Sequence, residues 1–177
     1  EMVTSTTLYL GKDGNLLKED PKNCHVLKVD NPILTNTDLM KIRSNQIEDF
    51  KSATLDMTYL KNSSLEKAIN RLFRQADKAY NQGVNILILS DRNIDENHVP
   101  IPSLLAVSAM NQHLVDTKKR MSVALIIESG EPREVHHFAL LLGYGASAIN
   151  NYLVQDTIGD LIDRDLLEKD YYAAVHD

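Results

Sequence analysis

Ile86-Leu87-Ile88-Leu89, Val123-Ala124-Leu125-Ile126-Ile127 and Ala146-Ser147-Ala148-Ile149 are three short runs in which the core residues leave no polar alternation. A strand that is apolar on both faces is what a buried parallel sheet requires. Between the first two, Pro102-Ser103-Leu104 opens a helical pattern that predicts a helix through about Arg120. Between the second and third, Pro132 is expected in a first helical turn, the helix is expected to run to Leu142, and Gly143 is expected to stop it. Residues 86–150 therefore read as two consecutive strand–helix–strand units, the signature of an α/β fold with a mostly parallel sheet.

Working outward, Ser63-Ser64-Leu65-Glu66 has capping-box spacing. Behind it Leu65, Ala68, Ile69, Leu72, Phe73, Ala76, Ala79 and Tyr80 make one helical stripe, which Gly83 ends in a left-handed turn. An earlier helix is expected from Thr35-Asn36-Thr37-Asp38, with Thr or Asn as cap and Asp38 at the positive end of the dipole. Residues 25–29 and 54–57 predict further strands, and Leu8-Tyr9-Leu10-Gly11 before Lys12-Asp13-Gly14-Asn15 predicts a strand and a turn. The segment from Asp170 to His176 is amphipathic.

At 177 residues the chain is one domain in size and long enough to bury a core without metal or disulfides. Its 43% hydrophobic and 25% charged residues are globular values. The net charge of −6, from 19 basic and 25 acidic residues, argues against a nucleic-acid or anionic-membrane partner. The one basic run, Lys118-Lys119-Arg120, is expected to be the solvated end of a helix. Cys24 alone excludes a disulfide within one chain and any all-cysteine metal site, and it suits a reducing, cytoplasmic location. Neither a membrane span nor a signal peptide is expected. Neither end reads as a natural terminus, which fits either a disordered or trimmed end or a domain cut from a longer polypeptide.

Polar residues gather just after the apolar strands: Asp91 and Arg92 after the first, Glu128 and Glu131 after the second. The carboxyl edge of a parallel sheet is where α/β folds bind ligands. The competing reading is that these four residues cap helices and pair across loops. Glu134 and His137 stand three apart, as two metal ligands on one helix face would, but a di-metal carboxylate site needs further copies that are missing. Nucleophilic chemistry finds no support. There is no Gly-x-Ser-x-Gly, and Cys24 and His25, as strand neighbours, are expected on opposite faces. Gly143-Tyr144-Gly145 is too short for a dinucleotide fingerprint, and no phosphate-binding loop is present.

Three blocks together resemble the central domain of the glutamate synthase large subunit. They are Ile86–Arg92, Val99–Val107 and, most specifically, Ile127-Glu128-Ser129-Gly130-Glu131-Pro132-Arg133-Glu134-Val135-His136-His137-Phe138-Ala139. The third continues through Leu142-Gly143-Tyr144-Gly145-Ala146 to Ala148-Ile149-Asn150, and Asn31–Asn36 and Ala53–Asp56 fall in the same order upstream. The similarity runs from about Glu1 to Leu161. One departure is Asn151, where the family usually has proline, and it is expected to loosen that turn.

The resemblance implies a parent enzyme that makes two L-glutamate from L-glutamine and 2-oxoglutarate. An amidotransferase domain with an N-terminal cysteine nucleophile would release ammonia. A tunnel would carry it to an FMN barrel fed with electrons through an iron–sulfur cluster, from NAD(P)H or ferredoxin. A β-helix domain would follow. The central domain is then expected to be an incomplete, rudimentary TIM-barrel-like domain that links the two catalytic domains, lines part of the tunnel, and binds no cofactor or metal itself. The tunnel positions carried over from the family are Leu34, Thr35, Asn36 and Thr58. Glu1 is not a nucleophilic cysteine, and one cysteine cannot hold a cluster, so the piece is expected to be inactive alone. By the same resemblance the location is cytoplasmic, or plastid in a photosynthetic eukaryote. Two rivals remain at this point: a small stand-alone enzyme using Asp91, Arg92, Glu128 and Glu131, and a free-standing binding module.

Overall fold

The computed structural model describes residues 5–12, 17–47 and 49–176. Four strands form a parallel sheet: β3 (Ser52–Asp56), β5 (Ile86–Ser90), β7 (Ala124–Glu128) and β8 (Ala148–Asn150). They stand in the order β3-β5-β7-β8, so each new strand adds beside the last and the order never reverses. Two small antiparallel pairs accompany them, β1 (Leu8–Leu10) with β2 (Leu27–Val29), and β4 (Thr58–Leu60) with β6 (His98–Pro100). The helices are α1 (Asn36–Arg43), α2 (Leu65–Asn81), α3 (Ser103–Asp116), α4 (Val135–Gly143), α5 (Tyr152–Asp163) and α6 (Tyr171–His176).

The pleat divides the apolar strands between two cores. Leu87, Leu89, Leu125, Ile127 and Ile149 point to one face, where the stripes of α2, α3 and α4 cover them. Ile86, Ile88, Ala124, Ile126 and Ala148 point to the other. That side is closed by Leu39 and Ile42 of α1, by Leu34 and Phe50, and by Leu8, Leu10, Leu27 and Val29 of the β1–β2 pair. Three helices thus share one face, and among the described residues one short helix and a ribbon cover the second.

Local chemistry explains most boundaries. Thr35 caps α1 in a full capping box: its hydroxyl accepts from the Asp38 amide, and the Asp38 carboxylate accepts from the Thr35 amide. Thr35→Ala is expected to cost about 1 kcal/mol, read by urea denaturation, since the Asp38 amide loses its acceptor. For α2 the cap is Ser64, which accepts from Lys67; the Ser63–Glu66 box expected from spacing does not form, because Lys67 is at the third position. Gly83 has φ +83° and ends α2 as expected.

Other expectations need correction. The α3 helix stops at Asp116, not Arg120, because Lys118 takes a left-handed φ of +58°. That turn brings Lys119 back onto Asp77 and Arg120 onto Asn111 and the carbonyls of Val123 and Gly145. Lys119, largely buried, and Arg120 therefore clasp α2, α3 and the turns at Val123 and Gly145, while Lys118 is exposed as expected of a solvated end. Pro132 lies before Glu134, the residue preceding α4, so it is outside the first turn. Gly143 is the last helical residue, and the chain reverses at Gly145, with φ +113°. Cys24 ends a 3₁₀ turn (Pro21–Cys24) and His25 lies outside β2, so the strand geometry expected for that pair does not apply. Most of the expected Lys12–Asn15 turn falls outside the described residues.

Candidate functional site

Asp56, Ser90, Glu128 and Asn150 stand in one register row across the sheet, at the carboxyl ends of the four strands. One register row shares one pleat face, so the apolar ladder of the second core ends in a polar lip. Glu128 is its centre and is 1% exposed. Arg43, at the end of α1, binds both Glu128 oxygens with its two terminal nitrogens and donates from Nε to Thr54. Arg92 donates from Nε to Glu128 at 2.7 Å and from Nη2 to Asn36 Oδ1 at 3.2 Å. Its guanidinium lies 4.1 Å over the Tyr152 ring. Burial alone would raise the Glu128 carboxyl; hydrogen bonds from Arg43, Ser90 and Arg92 outweigh it and hold the group below its ordinary range. A carboxylate held ionised in this way is a poor proton donor.

Above this triad lies a cleft of about 390 Å³ lined by Asn36, Leu39, Met40, Arg43, Arg92 and Glu128. The first four come from α1 at i, i+3, i+4 and i+7, one helical face. The segment before α1 is tied down from behind. The buried Leu34 carbonyl accepts from Asn150 Nδ2 at 3.0 Å and Gln155 Nε2 at 3.1 Å. The Asn36 amide donates to Gln155 Oε1 at 2.7 Å.

The sequence candidates distribute unevenly around this centre. Arg92 and Glu128 meet in it, and Asn36 joins them. Thr35 is turned to Asp38, and Leu34 contributes its carbonyl. Thr58 belongs to a separate cluster, donating to Asp56 Oδ1 at 2.8 Å, with Asn93 on the other carboxylate oxygen. Burial works to raise the Asp56 carboxyl, but bonds from Thr58 and Asn93, with the Arg71 charge, bring it below its ordinary value. Asp91 and Glu131 turn to local partners. Asp91 Oδ2 accepts from Ser129 Oγ at 2.6 Å and from the Gly130 amide, and burial raises its carboxyl despite these bonds. Glu131 accepts from the Ser103 amide at 2.6 Å, capping α3 where Pro102 has no side chain to do so. It also lines a smaller cavity of about 170 Å³ with Ser103, Leu104, Pro132, His137, Leu140 and Leu141. Capping and pairing across loops thus account for Glu131, and for Glu128 with Arg92.

Sequence reading missed Arg43, Tyr152 and Gln155. Arg43 carried a signal, standing seven residues beyond Asn36 on a predicted helix. Tyr152 and Gln155 lie on α5, which immediately follows a strand, as a further βα repeat would. Asn151 caps α5 by accepting from Val154 and donates to the Pro132 carbonyl. The turn is therefore fastened at Asn151, and the expected loosening is not found. His137 Nδ1 accepts from the Arg133 amide. Among the described residues no group of three or more His, Cys, Asp or Glu is placed to hold a metal ion, and no helix is long and apolar enough to cross a membrane.

A parallel sheet with unreversed strand order, three helices on one face and a charged lip at the strand ends defines a βα-repeat α/β domain. The sequence matches the family model "Glutamate synthase central domain" over residues 1–177, and the chain belongs to that family. It is 44% identical over 175 residues to the glutamate synthase [NADPH] large chain of Bacillus subtilis, covering 99% of this chain and 11% of that one. Identity is 38% over 166 residues to the glutamate synthase [NADH] of Schizosaccharomyces pombe, covering 91% and 8%. It is 36% over 160 residues to the ferredoxin-dependent glutamate synthase 1, chloroplastic/mitochondrial, of Arabidopsis thaliana, covering 88% and 10%. The chain spans about a tenth of the length of the curated relatives it matches.

Proposed function

We propose that this chain acts as the central, linking domain of a glutamate synthase large chain. The parent converts L-glutamine and 2-oxoglutarate into two L-glutamate. The domain joins the amidotransferase domain to the FMN-binding domain and walls part of the ammonia path. FMN, the iron–sulfur cluster and the contacts to NADPH, NADH or ferredoxin belong to other parts of the parent, and the domain alone turns over no substrate. The setting is the cytoplasm, or a plastid. The observation that carries this reading is end-to-end family identity in a chain a tenth as long as its relatives.

The fold supports the architectural half. Strands added in sequence with α2, α3 and α4 on one face are how a βα barrel is built, helices outside and the other face inward. The other face is covered by α1 and the β1–β2 pair, which supports reading the domain as an incomplete barrel.

The site supports the ammonia half. Ammonia freed into water at neutral pH takes up a proton and stops being a nucleophile, so its path must exclude bulk solvent and favour the neutral form. Glu128, the carboxylate of the cleft, is neutralised by two guanidiniums and offers ammonium no free counter-charge. Leu34, Thr35, Asn36 and Thr58 are the wall positions. In the full-length enzyme Asn36→Leu and Thr58→Leu are expected to uncouple the half-reactions. Glutamine consumed per glutamate formed should rise at least about twofold while glutaminase turnover persists. An unchanged ratio in both variants removes these residues from the path.

A further inference from the structure

We propose that the cleft beside α1 is a carboxylate-binding site, in which Arg43 and Arg92 receive an anionic group carried on a short aliphatic stem. The cleft shares Asn36 and Glu128 with the proposed ammonia path, but the carboxylate reading rests on Arg43 and Arg92 and is tested separately. The cleft lining holds two guanidiniums and one carboxylate, so one positive charge is in excess. Glu128 lies at the bottom, 1% exposed, whereas the Arg43 and Arg92 side chains are 35% and 39% exposed. An entering anion therefore meets the guanidiniums and not the carboxylate beneath them.

Both cations are held in place before any ligand arrives. Arg43 is fixed by Thr54 and by both oxygens of Glu128. Arg92 is fixed by Glu128, by Asn36 Oδ1 and by the Tyr152 ring. Among the described residues Arg92 Nη1 donates to no protein acceptor. Fixed guanidiniums lose little entropy on binding a carboxylate through the N–H groups they do not give to Glu128, Thr54 and Asn36, which is why arginine suits this task.

The walls decide what carries the carboxylate. Leu39 and Met40 line the cleft, with Met40 65% exposed, so an aliphatic stem finds apolar contact beside the charge. Three further carboxylates lie near but outside the lining: Asp38, bonded to Thr35 and paired with Lys41, Asp156, bonded to Asn36 Nδ2, and Asp91, bonded to Tyr152. At about 390 Å³ the cleft is within the range of small-molecule sites. Two sources present this chemistry, a free aliphatic carboxylate and an acidic side chain from an adjoining segment of a longer chain.

The test is a titration of the ¹⁵N-labelled chain with sodium glutarate, following the Arg43 and Arg92 Nε–Hε signals, against sodium chloride at equal ionic strength. Saturable shifts with glutarate alone are expected. Arg92→Met should weaken binding roughly tenfold, and Glu128→Gln, which raises the cation excess to two, should strengthen it roughly fivefold. Met40→Glu changes an exposed wall residue and should abolish binding by supplying its own carboxylate. Linear drift matched by chloride overturns the proposal, as does glutarate binding unaffected by Met40→Glu. Inorganic phosphate binding more tightly than glutarate also overturns the carboxylate assignment. Repeating the titration on the full-length enzyme separates the sources. Binding that persists there identifies a free carboxylate, and binding lost there but present in this chain identifies an acidic side chain.

Discussion

Glu128→Ala is expected to destabilise the fold by about 3 kcal/mol, because it removes the one buried partner of two guanidiniums. The arginines are over a third exposed and partly rehydrate, which keeps the loss at the lower end of what an orphaned buried pair costs. Glu128→Gln keeps the shape and should lose less. The triple change Glu128→Leu, Arg43→Met, Arg92→Met removes every charge at once and should recover most of the loss, as replacing whole buried ion clusters by apolar groups does. The acid dependence follows from the lowered Glu128 carboxyl, whose ordinary value is 4.5. A carboxyl lowered by folding contributes stability that is present above its unfolded value and is lost as pH falls through its folded value. Stability should therefore decline below about pH 4.5, and Glu128→Gln should flatten part of that decline. Asp56, Asp77 and Asp95, also lowered, add to it. Urea titrations from pH 7 to pH 3 read all of this. Equal stability of Glu128→Ala and wild type at pH 7 would show that the triad contributes nothing net.

How far the fold was legible depended on whether the deciding interaction was local. The apolar runs at Ile86, Val123 and Ala146 gave the parallel strands to within two residues, since burial on both faces leaves no polar alternation. Thr35 and Gly83 announced their helix ends because a cap and a left-handed turn are each decided within a few residues. Lys118–Arg120 misled for the opposite reason. Whether a basic run is solvated depends on Asp77, Asn111 and Gly145, which only the tertiary fold brings near. The site divides the same way. Glu128 and Arg92 stood out because strand ends can be read from periodicity. Arg43 stayed hidden among ordinary helix-end cations, since its meaning comes from packing α1 against β7. Asp91 and Glu131 looked like equal members of one site, and the loop after β7 sends them to different partners.

Gly145→Ala is expected to cost about 3 kcal/mol, whereas Gly143→Ala, two residues earlier, should be neutral or stabilising by about 0.5 kcal/mol. Both glycines sit at the end of α4, and from sequence Gly143 is the natural stop. At Gly143 the backbone is helical and an added methyl meets nothing within 4 Å, so alanine contributes only its better helix propensity. At Gly145 φ is +113°, a region that costs any L side chain strain. A methyl there would also overlap Asn111, lying 2.9 Å from its Cβ and nearer still to its amide. Asn111 cannot swing aside freely, because its Oδ1 accepts from Arg120 Nε at 2.7 Å. The same guanidinium donates to the Gly145 carbonyl at 3.1 Å and to the Val123 carbonyl at 2.9 Å. Relieving the clash therefore loosens the strap that joins α3 to the turns before β7 and β8. A double-mutant cycle separates the two causes. Asn111→Ala in the Gly145→Ala background should return the part of the loss due to overlap with the amide and leave the Cβ contact and the backbone strain. If Gly145→Ala melts with the wild type, neither the left-handed turn nor the Asn111–Arg120 strap constrains this corner of the sheet.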